Sequence, residues 1–105
     1  MAVDFEATRR VAEAYANDVR KVLPIDKAIL YGSYATGKAT ALSDIDVCFF
    51  MSDFGGRHRV DVIVELLDLT DNYKGMYFEP TAFPTSEIER GNPFVKEILT
   101  SGTEI

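Results

Sequence analysis

Two aspartates one residue apart, Asp44 and Asp46, stand at the head of the apolar run "DIDVCFFM" (44–51). Aspartate is disfavoured in strands, so the pair calls for a reason. If the run is a strand, successive side chains point to opposite faces. Asp44 and Asp46 then share one face and Ile45 and Val47 take the other, with the aspartate Cα atoms ~6.6–6.8 Å apart. Two carboxylates so placed repel each other unless a cation lies between them. They suit one or two Mg2+ ions, which take carboxylate oxygens and keep positions open for phosphate and water. A bare Asp-x-Asp is more often a solvated pair on an exposed sheet face. The residues upstream change that balance. Gly32 follows an apolar run and permits close backbone approach. Ser33 opens a plausible helical turn, "SYATG" (33–37), whose N–H groups and positive dipole favour a phosphate. Ser43 reads by itself as a turn or cap residue. Together these residues put a phosphate cradle directly before a metal-binding carboxylate pair.

The elements that must position them can be read from periodicity. Residues 4–23 are predicted helical, with a stripe of Val11, Tyr15, Val19 and Val22 and a stop at Pro24. "KAILYG" (27–32) and "DIDVCFFM" (44–51) read as strands, with "DFGG" (53–56) a turn. "RVDVIVELLDLTDNY" (59–73) suits either a strand or a helix. Its length and the stripe Val60, Ile63, Val64, Leu67 favour a helix. "GMYFEPTAF" (75–83) reads as a third strand, which Pro80 keeps from being a fully paired centre strand. Two short helical pieces follow. Thr85 or Ser86 could cap the first, Asn92 with Pro93 starts the second, and Gly102 ends it. The order α-β-β-α-β-α predicts an α/β or α+β domain with a small sheet.

The bounds agree. A chain of 105 residues, 47% hydrophobic, suits one domain, 1–105, with a modest core and no need of a disulfide or metal to fold. The single cysteine, Cys48, lies in an apolar run and reads as a buried thiol in a reducing, cytoplasmic compartment. No signal peptide is visible, and no apolar run reaches the ~20 residues of a membrane helix, so no membrane partner is expected. The net charge is −6, from 17 acids and 11 bases. Proteins that clamp a nucleic-acid backbone usually show a basic face, so a long nucleic acid is a poor expectation as partner. Asp61, Glu65 and Asp68 read as a solvated helix face, and Lys38 as a solvent lysine. Arg57, His58 and Arg59 form the only basic cluster, read as surface with some reach towards a triphosphate or a partner. Tyr31, Tyr34, Phe49 and Phe50 read as core or pocket wall, any one of which could stack on a base.

The stretch "GSYATGKATALSDIDV" (32–47) resembles the nucleotidyltransferase signature of the DNA polymerase β superfamily: Gly-Ser, a spacer, then Ser-Asp-x-Asp. Gly32, Ser33, Ser43, Asp44 and Asp46 occupy its five fixed positions. At usages of about 5–7% each, that combination arises by chance on the order of once in a million windows. "YFEPTAF" followed by "NPFVKEILTSGTEI" resembles the closing third of the minimal nucleotidyltransferases, small proteins often encoded beside a HEPN-domain partner. The resemblance implies a polymerase β-like fold: a small mixed sheet of three or more strands with helices mainly on one face. It implies nucleotide binding by Gly32, Ser33 and Ser43. It also implies a third carboxylate beside the Asp-x-Asp strand, matched here by Glu79, one methylene longer than the commoner aspartate. Asp44, Asp46 and Glu79 would then be both the catalytic residues and the metal ligands, holding two Mg2+ ions, with Mn2+ able to substitute.

The implied reaction moves NMP, in the first place AMP from ATP, from an NTP to a hydroxyl acceptor and releases pyrophosphate. Larger relatives carry a second domain for the acceptor, for which 105 residues leave no room. The acceptor is therefore expected to be, or to be bound by, a partner such as a HEPN toxin or a homodimer mate. Two other readings stay open. One is a docking antitoxin with a vestigial nucleotide site. The other is the catalytic subunit of a small-molecule nucleotidyltransferase of the aminoglycoside type.

Overall fold

A computed structural model of the chain describes residues 5–32, 44–73 and 75–105. Helix α1 (Phe5–Val22) carries Ala12, Tyr15, Ala16 and Val19 to the interior at helical spacing and ends before Pro24. Strands β1 (Ile25–Tyr31) and β2 (Ile45–Met51) follow. Helix α2 (Arg59–Leu69) runs on through a 3-10 turn (Thr70–Asn72) and returns the chain to β3 (Phe78–Pro84). The short α3 (Glu87–Arg90), α4 (Pro93–Ser101) and the two-residue β4 (Thr103–Glu104) complete the order. The sheet is ordered β3-β2-β1-β4. β1 is antiparallel to β2 and β4, whereas β2 and β3 are parallel, as a crossover through α2 requires.

Alternation along the strands divides the interior in two. Ala28, Leu30, Ile45, Val47, Phe49 and Ala82 face the two long helices, α1 and α2. Ile29, Cys48, Phe50 and Phe83 face the other way, under Val95 and Ile98 of α4. The expected α+β fold is present, with the long helices on one face. Among the described residues, the second face, which carries Asp46, is covered by the short C-terminal helices. Asn92 caps α4 by accepting from the N–H groups of Phe94 (3.0 Å) and Val95 (3.3 Å). Ser86 stands at the N-cap of α3 but makes no side-chain cap bond, and the Thr85 hydroxyl donates to Asp26 instead (2.6 Å).

Two expectations are corrected. On α1, Val22 is exposed, and Ala12 and Ala16 complete the buried stripe in its place. On α2, the stripe that argued for a helix is not the buried one. Val62 and Leu66 face the core, while Val60, Val64 and Leu67 face solvent. The expected sheet of three or more strands has four, because Thr103 and Glu104 pair with Leu30 and Ile29. Pro80 behaves as read from the sequence. β3 is an edge strand, and the Ala82 carbonyl accepts from Arg59 Nε (2.6 Å), not from β2. Pro80 and Pro84 share Ala82's parity, so their missing N–H groups fall on the open edge.

Candidate active site

The parallel register pairs Asp46 with Glu79, and the antiparallel register pairs Asp46 with Tyr31. Residues paired across strands share a face, so Tyr31, Asp46 and Glu79 form one row across β1, β2 and β3. The next rows down the same face are Ile29, Cys48 and Thr81, then Lys27, Phe50 and Phe83, apolar or weakly polar except for Lys27, which pairs with Glu104 (3.5 Å). The site thus sits at the rim of a buried layer, with Glu79 exposed and Asp46 half-buried. Asp44 is exposed immediately before β2.

Electrostatics follow from that crowding. Burial, then the neighbouring Glu79 charge and its hydrogen bond, then Asp44, push the Asp46 carboxyl up to about 6. Asp46 and Glu79 are therefore close enough to share a proton, and Asp44 close enough to be felt. Tyr31 is also held well above its ordinary value, by burial first and then by the charges of Asp46, Cys48 and Glu79. It stands as a neutral phenol beside the carboxylates. Carboxylates crowded so that each raises its neighbour's proton affinity offer oxygen donors to a divalent cation. Among the described residues, however, no three His, Cys, Asp or Glu side chains are already gathered as a ligand group.

Gly32 closes the row on the β1 side. Its φ is +75°, a conformation L side chains rarely adopt, and a Cβ there would run into the Asp46 carboxylate. The turn after β1 therefore passes against the acid because position 32 lacks a side chain. Ser33, Ser43, Lys38, Tyr34 and the predicted "SYATG" turn lie outside the described residues.

The basic cluster starts at the far end of the sheet, although the Arg59 guanidinium reaches back to the Thr81 hydroxyl (3.4 Å), two residues along β3 from Glu79. The cluster follows the turn after Met51, five residues or about 17 Å along β2 from Asp46. Arg57 pairs with Glu65 (2.7 Å), and the His58 N–H donates to Asp61 (3.2 Å) at the start of α2. Arg59 wraps the β3 edge, with its guanidinium 4.1 Å from the Phe83 ring centroid. These contacts tie the cluster to α2 and to the edge of β3. A cleft of about 260 Å3, lined by Val22, Leu23, Met51, Phe54 and Arg57 among others, lies at that same far end.

Sequence reading missed Phe94. Its exposed ring meets Tyr31 edge-on (6.3 Å between centroids) and Phe83 (5.8 Å), and so walls the site from α4. No spacing rule points to it, because its neighbours come from β1 and β3. Tyr31 was legible only as core or pocket wall, and the structure puts it in the carboxylate row.

Comparison with known proteins agrees with this fold. The fold is similar to that of a Sulfolobus solfataricus protein described as a candidate nucleotidyltransferase, with a TM-score of 0.63 over 82% of this chain and 75% of that one, at 17% identity. No curated protein matches the chain at a significant level. The family described as polymerase beta, nucleotidyltransferase matches residues 15–105, which include the Tyr31–Asp46–Glu79 row, Gly32 and both sheet faces, and the chain belongs to that family.

Proposed function

We propose that the chain transfers a nucleoside monophosphate, AMP from ATP in the first place, to a hydroxyl on a partner protein of HEPN type, and so acts as an antitoxin. The observation that carries this reading is the in-register pair Asp46–Glu79 with Gly32 set against Asp46. The pair supports one cation-binding position, and Asp44 offers a further carboxylate at its rim. Asp44, Asp46 and Glu79 would hold Mg2+, or Mn2+ in its place. Bound there, the metal supplies charge neutralisation for the triphosphate and a more acidic acceptor hydroxyl.

The remaining work falls to the chain itself. Gly32 lets the turn after β1 pass directly against Asp46, and Ser33 and Ser43 are assigned hydrogen bonds to the phosphates. Glu79, on the open edge strand, takes the acceptor side. Tyr31 and Phe94 wall the site and limit water. The acceptor oxygen forms a bond to the α-phosphorus as the α–β bridging bond breaks. Pyrophosphate leaves, and the hydroxyl proton passes to a site carboxylate. Positioning and charge neutralisation carry most of the catalysis.

The test is incubation of the protein and Mg2+ with each labelled NTP and the product of the neighbouring gene. Label from ATP should appear on the partner. Glu79→Gln should cut transfer by roughly two orders of magnitude or more, the scale of one lost positioned charge. Partner binding should hardly change. A docking module gives the opposite pattern: no transfer by parent or variant, and full neutralisation by both.

A further inference from the structure

Helix α2 has more apolar surface than its own core uses. Val62 and Leu66 are fully buried, and Ile63 packs at the margin of the main cluster. Val60, Val64 and Leu67 nevertheless remain 63%, 53% and 45% exposed. Spacings of four and three residues put these three on one side of the helix, a ridge of about 10.5 Å or two turns. At about 100° per residue, Arg59 and Ile63 turn the same way round the helix from Val62 and Leu66 as the ridge does. Arg59 reaches Ala82 of β3. The ridge therefore lies on the outward side of α2, roughly 150° round the helix from the Val62–Leu66 line and turned in the direction of β3.

Charge narrows what can cover it. After Arg59, the only charged residues of α2 are Asp61, Glu65 and Asp68. Glu65 is engaged by Arg57, while Asp61 and Asp68 are exposed along the flank of the ridge away from the core. Two copies packed ridge to ridge would bring these acidic flanks together on chains of net charge −6 each, so a second copy is a poor occupant. An apolar ridge with an acidic flank fits an amphipathic helix whose own apolar stripe is bordered by Lys or Arg.

We propose that the Val60–Val64–Leu67 ridge is the docking surface for a basic-flanked amphipathic helix of another protein. The inference deepens the proposed function by naming the face an acceptor protein would use, and it rests on that reading to this extent only. Docking is measured as binding, without nucleotide or transfer, so the two can fail separately.

The probe is a synthetic Leu/Lys helix of roughly 18 residues with Leu at i, i+3, i+4 and i+7. It carries one Trp as reporter, since the chain has none. The parent should bind this helix. Val64→Asp and Val60→Ser should weaken binding by about tenfold or more, as loss of a central contact does. Both positions are largely exposed, so melting temperatures should hold. If Val64→Asp does not fold, Val60→Ser carries the comparison. A Glu-flanked helix and a scrambled Leu/Lys peptide of the same composition should bind at least tenfold more weakly. Equal binding by parent and variants would place the contact elsewhere. Equal binding of the scrambled peptide would reduce the effect to bulk charge. A concentration-dependent dimer in sedimentation that Val64→Asp abolishes would assign the ridge to a second copy. Any of the three overturns the proposal.

Discussion

Gly32→Ala puts the site geometry to its sharpest test, because two separable costs fall on one methyl group. The first is backbone strain: φ is +75°, and an L residue held there loses about 1–2 kcal/mol. The second is the collision of the new Cβ with the Asp46 carboxylate. Asp46 must then swing away from Glu79 or the turn must shift, at a further cost of roughly 1 kcal/mol, typical of coupled neighbours. The single variant should thus lose about 2–3 kcal/mol, which at about 4–8 °C per kcal/mol is plain in a thermal melt. In an Asp46→Ala background the collision disappears and only the strain remains, about 1–2 kcal/mol. Urea unfolding of all four proteins, followed by circular dichroism with chelator present, closes the cycle. A coupling below about 0.5 kcal/mol would mean that Gly32 and Asp46 do not touch, and the row would lose its β1 wall.

Other elements yield expectations of their own. Tyr15 is fully buried and its hydroxyl donates to the Leu66 carbonyl (2.7 Å), one of the last-turn carbonyls of α2 that no helical N–H can reach. Tyr15→Phe should cost about 1–3 kcal/mol in urea unfolding, and a change under about 0.3 kcal/mol would contradict that bond. Arg59→Ala removes both the bond to the Ala82 carbonyl and the cover over Phe83, and should cost about 1–2 kcal/mol. Arg59→Lys should recover little of it, because an ammonium cannot lie flat on the ring while donating sideways; full rescue would refute the clamp. Asp26 accepts from the Ser52 and Thr85 hydroxyls, and these bonds hold its carboxyl below the usual range. A depressed folded value stabilises above the unfolded value near 3.8 and is lost as pH falls through the folded one. Asp26→Asn should therefore melt below the parent at pH 7, with the gap closing in strong acid, and a gap independent of pH would remove Asp26 from this role.

Much of the site was legible because its signals are local. Asp46 lies in β2 with Asp44 immediately before it, and Ile45 and Val47 must take the face opposite Asp46, which is where the main core holds them. Asn92 and Pro93 announce a helix start through a side-chain oxygen and a fixed φ, both effective within three residues. Pro80 excludes a central strand by its missing donor alone. The gathering of Asp46, Glu79 and Tyr31 was not legible in the same way. It depends on a register between residues more than thirty positions apart, and a shift of one residue would turn Glu79 to the other face. The resemblance supplied Glu79, and spacing could not have done so.

Helix α2 marks the boundary most clearly. Its sequence favours a helix over residues 59–69, because the segment is long and apolar residues recur at helical spacing whichever side is counted. It does not determine which side is buried. Val62 and Leu66 make one stripe and Val60, Val64 and Leu67 another, and both satisfy the period. The sheet decides between them, because Arg59 must reach the edge of β3 while Tyr15 of α1 caps Leu66. The same holds for Phe94 and for β4, whose partners lie on strands far back in the chain. Parity, capping and proline chemistry are properties of a few consecutive residues, and sequence alone carries them. Register, the choice of buried face and the company of a side chain arise only when distant segments pack, and those the tertiary structure decides.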